Sequence, residues 1–227
     1  MLLITAGVGH AMGLRPAPGT TLWEWTSPFA TGANIYAITH YGHSDASPWS
    51  SSMDADSDLS ALRQMRASVV RVIPAYRGIT DEEAARRLGV FLDRAATYNI
   101  AVIVSLTNFY GDSQLYPKST ERFYTEQWRG IPYLNDDFFA GGYRAGYLDF
   151  VRTVVTANAH RPNIYAWEPG NELQNGDPAA FLNFMRETTD LIRRLDGSHP
   201  VADGMTEALQ SGFTPVGLYS QLPSVDF

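Results

Sequence analysis

Three polar residues suited to acid–base chemistry follow a short apolar run in the second half of the chain. The segment IYAWEPGNELQ (164–174) begins like a buried strand and then presents Glu168, Asn171 and Glu172. A carboxyl group acts as a general acid or base when it is held against a reacting oxygen, and desolvation or a second carboxylate raises its pKa for that task. We predict this role for Glu172, with Trp167 as one source of desolvation. Capping of the following loop is the alternative.

The elements that must position these residues alternate between strands and helices. Strands are predicted from β-branched and aromatic content and from nearly continuous apolar runs. They cover 33–41, 68–76, 99–110, 163–172 and 200–208, and the last four residues, 224–227, read as the start of a sixth.

Two helices are predicted before the third strand. The first is short and has an apolar stripe of Leu59, Leu62 and Met65. The second follows the sequence TDEE (80–83), a capping box that satisfies the free amides of a helix N-terminus. Its apolar stripe is Leu88, Phe91, Leu92, Ala95 and Ala96.

Two further helices are predicted around the segment 164–174. Asp136 is expected to cap the first, after a long aromatic loop at 111–135. Asp177 and Pro178 occupy the N-cap and first helical position of the second, which ends at 196–197. No clear helix is predicted after residue 208. The first of these helices carries Phe139, Tyr143, Tyr147 and Val151 along one side.

Repeated strand–helix units predict a parallel sheet covered by helices. Long loops follow the strands and never the helices, and in a (β/α) barrel that face carries the catalytic groups. A doubly wound sheet shares the alternation, but no phosphate-binding glycine pattern follows the first strand. We therefore predict an α/β fold, an incomplete TIM-type barrel of about five to six parallel strands with fewer helices than a full barrel. It occupies 34–227, after an irregular leader at 1–33.

Composition limits the possible functions. With 227 residues, of which 44% are hydrophobic and 18% charged, the chain can form one globular domain with a core. The net charge of −7 and the lack of a Lys/Arg cluster argue against nucleic acid as a partner. No apolar run approaches membrane-spanning length, so no membrane association is predicted. The absence of cysteine excludes disulfides, thiolate nucleophiles and cysteine-ligated zinc.

The motif WEPGNE (167–172) resembles the Trp–Glu–x–x–Asn–Glu signature of clan A glycoside hydrolases, especially family five, which includes cellulases and β-mannanases. Residues 138–172 are similar to the helix and strand that precede the acid/base in the mannanase branch. The similarity covers 33–227 and is poor in the loops. The segments 68–76, 102–112 and 200–208 resemble the second, third and fifth strands of that family.

This resemblance implies a β-glycoside hydrolase that needs no cofactor. By position, Glu172 would be the general acid/base and Asn171 the hydrogen-bond partner of the sugar 2-hydroxyl. Arg71 would orient and electrostatically support the site, although a salt bridge inside the barrel is an open alternative. We interpret Glu168, four residues before Glu172, as a structural residue paired with Arg71.

A glycosidase also needs a second carboxyl group, about 5–5.5 Å from the first in retaining enzymes and about 6.5–9.5 Å in inverting ones. In the resembled family the nucleophile ends the seventh strand, and this chain ends where its sixth is predicted to begin, so no residue matches it. Glu207, at the end of the predicted fifth strand, is our candidate because neighbouring strands lie about 4.8 Å apart. Loop capping or sugar binding is its alternative role, and Asp112 is a weaker candidate. The stereochemical outcome stays open.

Aromatic residues at strand ends or in the following loops are candidate platforms, because aromatic faces stack on pyranose rings. Packing within the loops is the alternative for each. His40 and His43 have a spacing that can bind metal, but no other cluster completes such a site, so we predict no metal. Sugar hydrogen bonding is the role predicted for His40, and simple exposure to solvent is the alternative. The candidate platforms are Trp49, Tyr76, Phe109, Tyr110, Tyr116 and Trp128.

An incomplete barrel exposes unpaired strand edges. A homodimer that closes the open sides would solve this problem, and so would covering of the edges by 1–33 and 207–227. A third possibility is that the chain is a fragment of a longer gene.

The sequence thus predicts a glycoside hydrolase acting on β-linked oligo- or polysaccharide of the mannan or glucan type. The alternative is a catalytically silent carbohydrate-binding remnant of a glycosidase barrel. A polysaccharide substrate favours a secreted or extracytoplasmic location, but the N-terminal sequence MLLITAGVGHAMGL lacks the basic region of a signal peptide.

Overall fold

The computed structural model describes residues 31–35, 38, 55–205 and 211–226. Helices and strands alternate over most of this range, with one extra hairpin after the third strand. In chain order they are β1 (Gly32–Ile35), α1 (Ala55–Gln64), β2 (Val69–Val72), α2 (Asp81–Thr97), β3 (Ala101–Ser105), a 3₁₀ helix (Lys118–Phe123), β4 (Glu126–Trp128), β5 (Ile131–Tyr133), α3 (Asp136–Phe139), a 3₁₀ turn (Gly142–Arg144), α4 (Tyr147–Asn158), β6 (Ile164–Glu168), α5 (Pro178–Leu195) and α6 (Pro215–Tyr219).

Four parallel strands form the main sheet in the order β1-β2-β3-β6. Each pair is joined by a helical crossover or a long connection, so the strand order follows the chain, as in a (β/α) barrel. The register places Arg71 opposite Ile103 and Ser105 opposite Glu168. The carboxyl ends of β2, β3 and β6 therefore meet at one edge of the sheet.

The segment predicted as a fifth strand, 200–208, is not a continuous strand in its described part. It adds to the sheet through two isolated parallel bridges, Trp167 with Val201 and Leu173 with Met205. Gly204 lies between them with φ +66, which interrupts the extended backbone. At 224–226, where a sixth strand was expected to begin, the structure has no strand, although the Asp226 amide donates to the Val201 carbonyl at 2.8 Å.

The predicted helix starts are confirmed at two positions. The Thr80 hydroxyl accepts from the Glu83 amide at 3.2 Å at the start of α2, and Asp177 caps α5 with Pro178 in its first turn. The predicted apolar stripe of α1 is wrong at Met65, because the helix ends at Gln64 and Met65 is 55% exposed. Ala96 of α2 is likewise exposed.

The third predicted helix is divided into three pieces. Asn135, not Asp136, provides the cap, since its side chain accepts from the Phe138 amide. Gly141 and Gly146 then adopt φ +127 and +110, values that side chains rarely allow, and these separate α3, the 3₁₀ turn and α4. The expected apolar face survives the breaks, because its four members are all buried: Phe139, Tyr143, Tyr147 and Val151.

Two elements were not expected from the sequence. The loop 111–135 contains the antiparallel hairpin β4–β5, whose turn residues Arg129 and Gly130 both have positive φ, as a two-residue hairpin turn of type I′ requires. The short helix α6 lies where no helix was predicted, with the Thr214 hydroxyl accepting from the Gly217 amide near its start. Within the described ranges no helix has the length and apolarity needed to cross a membrane.

Candidate active site

Arg71 and Glu168 form a largely buried ion pair on one face of the sheet. Arg71 lies on β2, and Glu168 is the last residue of β6. The Arg71 Nη2 and Glu168 Oε2 atoms are 2.5 Å apart, and Nε donates to the same oxygen at 2.7 Å. The pair reaches across β3, where Nη2 also donates to the Ser105 hydroxyl at 3.4 Å. The expected pairing of Glu168 with Arg71 is confirmed.

Arg71 also holds Asn171, which lies three residues beyond β6. Its Nη1 donates to the Asn171 Oδ1 at 2.6 Å, and the Asn171 Nδ2 donates to the Asn108 Oδ1 at 2.9 Å. Both asparagines are 7% exposed. One arginine thus makes the barrel ion pair and also orients the side chain next to Glu172.

The segment after β6 forms backbone hydrogen bonds with two neighbouring segments, the one that follows β3 and the one that contains Gly204. The Asn171 amide donates to the Thr107 carbonyl at 2.8 Å, and the Phe109 amide donates to the Asn171 carbonyl at 3.0 Å. On the other side, the Glu172 amide donates to the Gly204 carbonyl at 2.8 Å. These contacts hold Glu172 at the carboxyl ends of the strands, the position of catalytic groups in (β/α) barrels.

Glu172 has left-handed backbone geometry, with φ +54, and its side chain is half-buried. Non-glycine residues in this region are strained, and such strain is concentrated at functional sites. Its carboxylate lies close to the Tyr110 hydroxyl: burial first, and then the negative charge of Glu172, raise the pKa of Tyr110. Tyr110 is therefore protonated at neutral pH and available as a hydrogen-bond donor beside Glu172.

Trp167 does not provide the desolvation expected of it. The side chain is fully buried, and its Nε1 donates to the Asp196 Oδ2 at 2.8 Å, beyond the end of α5. Because successive side chains of a strand point to opposite faces, Trp167 and Glu168 lie on different sides of the sheet. The indole therefore connects β6 to the helix layer.

The predicted aromatic platforms fall into two groups. Phe109 and Tyr116 are 5% and 4% exposed, and Tyr116 stacks on Tyr124 with ring centroids 4.0 Å apart, so these two belong to the core and present no face to a ligand. Tyr76 and Tyr110 are half-buried in the segments that follow β2 and β3.

Trp128 is the most accessible of the candidate platforms that the structure describes. It is 54% exposed on the hairpin, with the Arg129 guanidinium over its ring at 4.8 Å. The hairpin adjoins Tyr110 through a bridge from Tyr110 to Tyr133, and Tyr133 stacks on Phe109. Trp128 and Tyr110 are thus carried by two connected pieces of chain at the same edge of the sheet.

Four of the residues singled out from sequence lie outside the described ranges: His40, His43, Trp49 and Glu207. Asp112 is exposed, and its Oδ1 accepts from the Ser113 amide at 2.8 Å, which makes it a cap of its own turn. Across the described part of the chain, no three His, Asp or Glu side chains are grouped closely enough to hold a metal ion.

Sequence reasoning missed three residues that support the site. Asn108 contacts Asn171, Ser105 leaves room for the ion pair, and the buried Tyr147 hydroxyl donates to the carbonyl of Pro169 in the segment before Asn171. For Asn108 a signal was available, since it is a polar residue near the end of the largely apolar segment NIAVIVSLTNFY (99–110).

The sequence is similar to fungal mannanase sequences. It is 25% identical over 236 residues to mannan endo-1,4-beta-mannosidase A of Aspergillus aculeatus, covering 90% of this chain and 60% of that protein. It is 27% identical over 128 residues to the probable mannan endo-1,4-beta-mannosidase A-1 of Aspergillus terreus, covering 55% and 31%. The chain therefore spans only part of the length of these relatives. No family model matches it.

Solved structures share the fold at lower identity. The endo-beta-1,4-mannanase of Thermotoga petrophila aligns over 86% of this chain and 48% of its own, with a TM-score of 0.58 and 20% identity. A glycoside hydrolase family 5 mannosidase of Rhizomucor miehei aligns over 77% and 50%, with a TM-score of 0.55 and 15% identity. The chain thus resembles the family-five, clan A glycoside hydrolases in sequence and has part of their (β/α)-barrel fold.

Proposed function

We propose that this chain is a β-glycoside hydrolase acting on mannan-type or glucan-type chains, with Glu172 as general acid/base. The observation that carries the proposal is the position of Glu172 four residues beyond the carboxyl end of β6, next to an Asn171 side chain that Arg71 holds with a hydrogen bond of 2.6 Å. The mannanase names of the similar sequences favour mannan over glucan as the substrate.

In this mechanism Glu172 protonates the departing glycosidic oxygen while a second carboxylate bonds to the sugar carbon. As a carboxylate, Glu172 then removes a proton from the water that attacks this carbon and releases the second carboxylate. Asn171 contacts the sugar hydroxyl next to the reacting carbon. The positive charge of Arg71 is paired with Glu168, and the role of the arginine in this mechanism is to orient Asn171. No step requires a cofactor.

Glu207 is our proposed second carboxylate. The parallel bridge between Leu173 and Met205 brings the chain two residues before Glu207 beside the residue that follows Glu172. Adjacent strands lie about 4.8 Å apart, which is compatible with the carboxyl separation of a retaining glycosidase, about 5–5.5 Å. Hydrolysis by a Glu207→Gln protein at the wild-type rate would contradict this assignment.

Aromatic side chains form the proposed sugar platforms. Tyr76, Tyr110 and Trp128 lie on segments that follow β2 and β3, at the same edge of the sheet as Glu172. We extend the proposal to Trp49 and His40 by their position in the sequence after the first strand. Faces of this kind suit the apolar side of pyranose rings.

A homodimer that closes the open sides of the sheet is part of the proposal. The described sheet has β1 at one edge and the Val201 segment at the other. Isologous contacts between two copies would bury those edges. Sedimentation of the full chain as a compact monomer would contradict the dimer while leaving the hydrolase proposal intact.

Release of reducing sugar from β-1,4-mannan and from soluble cellulose tests the function. We expect wild type to release sugar and Glu172→Gln to lose at least about a hundredfold in rate, the usual contribution of a positioned acid or base. Glu82→Gln, an exposed carboxylate on α2, is the matched control and should keep the wild-type rate.

Binding measurements with the same oligosaccharides identify the alternative. Binding of mannohexaose without release by either wild type or Glu172→Gln would support a carbohydrate-binding protein and overturn the hydrolase proposal. Release that is unchanged by Glu172→Gln would overturn the assignment of this residue.

A further inference from the structure

We infer that Asn108 is a positioning residue that fixes the orientation of the Asn171 side-chain amide. The inference deepens the proposed function and depends on it for its kinetic readouts alone. Its physical basis is a chain of hydrogen bonds that runs from Arg71 through Asn171 and Asn108 to Ser113.

The direction of every bond in this chain is set by Arg71. A guanidinium has only donors, so the atom of Asn171 that lies 2.6 Å from Nη1 is its oxygen. The Asn171 nitrogen then faces Asn108 at 2.9 Å, and the atom of Asn108 that it meets must be an acceptor, Oδ1. The Asn108 nitrogen is left to donate to the Ser113 hydroxyl at 3.3 Å.

Backbone contacts hold Asn108 in place independently of its side chain. Asn108 and Asn171 form an isolated parallel bridge, and the Tyr124 hydroxyl donates to the Asn108 carbonyl at 2.6 Å. Burial raises the pKa of Tyr124, so its hydroxyl keeps the proton that it donates. Asn108 is therefore a fixed point against which the Asn171 side chain can be aligned.

Two hydrogen bonds to the Asn171 side-chain amide fix its plane, whereas a single hydrogen bond leaves the amide free to rotate. With its oxygen held by Arg71 and one N–H held by Asn108, Asn171 keeps one N–H for a ligand. The amide thus presents a donor to the sugar, and a sugar hydroxyl meets it through its oxygen. Removing Asn108 deletes one buried hydrogen bond and the alignment of that donor.

The first test needs no substrate. The side-chain NH₂ resonances of Asn171, assigned by their loss in Asn171→Ala, report the bond to Asn108 directly. We expect Asn108→Ala to shift them and to speed exchange of the bonded hydrogen about tenfold, the effect of one hydrogen bond. Asn108→Asp keeps an acceptor oxygen and should restore the wild-type signal. Ser113→Ala, which removes only the outermost contact, is the matched control and should leave the signal within about twofold in exchange.

The second test is a double-mutant cycle on mannohexaose hydrolysis. If Asn108 acts through Asn171, Asn108→Ala lowers kcat/KM about tenfold in the wild type and has no further effect in Asn171→Ala. Asn108→Asp should recover most of the loss, which a general packing defect at this position would not allow.

The outcomes separate the two proposals. Unchanged Asn171 resonances in Asn108→Ala, or additive losses in the cycle, overturn the positioning role. A wild-type chain without hydrolysis refutes the proposed function, and the resonance experiment then decides the role of Asn108 alone. If Asn108→Ala does not fold, Asn108→Leu replaces it, because leucine also lacks the acceptor oxygen. A wild-type-like Asn171 signal in Asn108→Leu overturns the inference, and a shifted signal supports it.

Discussion

Arg71 and Glu168 are joined across an intervening strand, with 2.5 Å between Nη2 and Oε2. The strand between them, β3, carries Ser105 at that level, and its hydroxyl lies 3.4 Å from Nη2. A small side chain at this position lets the arginine of β2 reach the glutamate of β6. The ion pair and the asparagine beside the acid/base candidate therefore depend on the same guanidinium.

Removal of one partner of this pair should be costly. We expect Arg71→Met to lower the free energy of unfolding by about 3–5 kcal/mol, because it leaves Glu168 buried without its counter-charge. Urea denaturation measures the change. The double variant Arg71→Met/Glu168→Met should be more stable than Arg71→Met alone, and the idea fails if the double variant is the less stable. An exposed pair gives the control: Arg152→Met should change stability by less than about 1 kcal/mol.

Gly204 should not tolerate a side chain. Its φ is +66, and a Cβ there would overlap the carbonyl oxygen of Gly170. We expect Gly204→Ala to destabilise the fold by at least about 1–3 kcal/mol and to displace the carbonyl that accepts from the Glu172 amide. Gly176, where an added Cβ would meet nothing within 4 Å, is the control. Thermal unfolding in which both alanine variants behave alike would refute this account.

The backbone of Glu172 stores strain that glycine should release. At φ +54 a residue with a Cβ is disfavoured, and glycine is not. We expect Glu172→Gly to be about 1 kcal/mol more stable to urea than Glu172→Ala, although both lose the carboxylate. Equal stability of the two variants would show that the left-handed geometry carries no strain.

Asp196 should make the fold sensitive to acid. Burial acts to raise its pKa, but hydrogen bonds from His199 and Trp167 outweigh it and hold the pKa below the ordinary 3.8. A carboxyl with a lowered pKa in the folded state stabilises the fold above its unfolded pKa, and this contribution is lost as the pH falls through the folded value. We expect Asp196→Asn to be less stable than wild type at neutral pH.

The same variant should respond less to acid. Denaturation measured between about pH 6 and about pH 3 should show a smaller loss of stability for Asp196→Asn than for wild type. A parallel decline of the two proteins would mean that Asp196 has no part in the acid response.

Trp128 should matter for long substrates only. Its exposed ring stands on the β4–β5 hairpin. We expect Trp128→Ala to raise KM for mannohexaose about twofold to tenfold, the range of an aromatic stacking contact, without changing the hydrolysis of an aryl β-mannoside. Trp128→Phe keeps a flat face and serves as the control. An equal effect on both substrates would place the ring at the reaction centre instead.

Local patterns allowed much of this architecture to be predicted. The caps of α2 and α5 and the apolar runs of β2, β3 and β6 depend on neighbours within a few residues, so they can be read from sequence. Prediction from local sequence patterns failed where the backbone conformation of one or two residues decided which element formed. Positive φ at Gly141 and Gly146 split the third predicted helix, and positive φ at Arg129 and Gly130 made a hairpin from a predicted loop.

The sequence by itself determined the strand–helix order and the position of Glu172 where a buried strand gives way to its loop, because both follow from the periodicity and composition of short segments. Only the tertiary structure decided which groups meet Glu172 and Asn171. Arg71 lies 97 residues from Glu168 and 100 from Asn171 along the chain, and Asn108 lies 63 from Asn171. Contacts at such separations are set by sheet register and by the size of intervening side chains such as Ser105, which no local preference encodes.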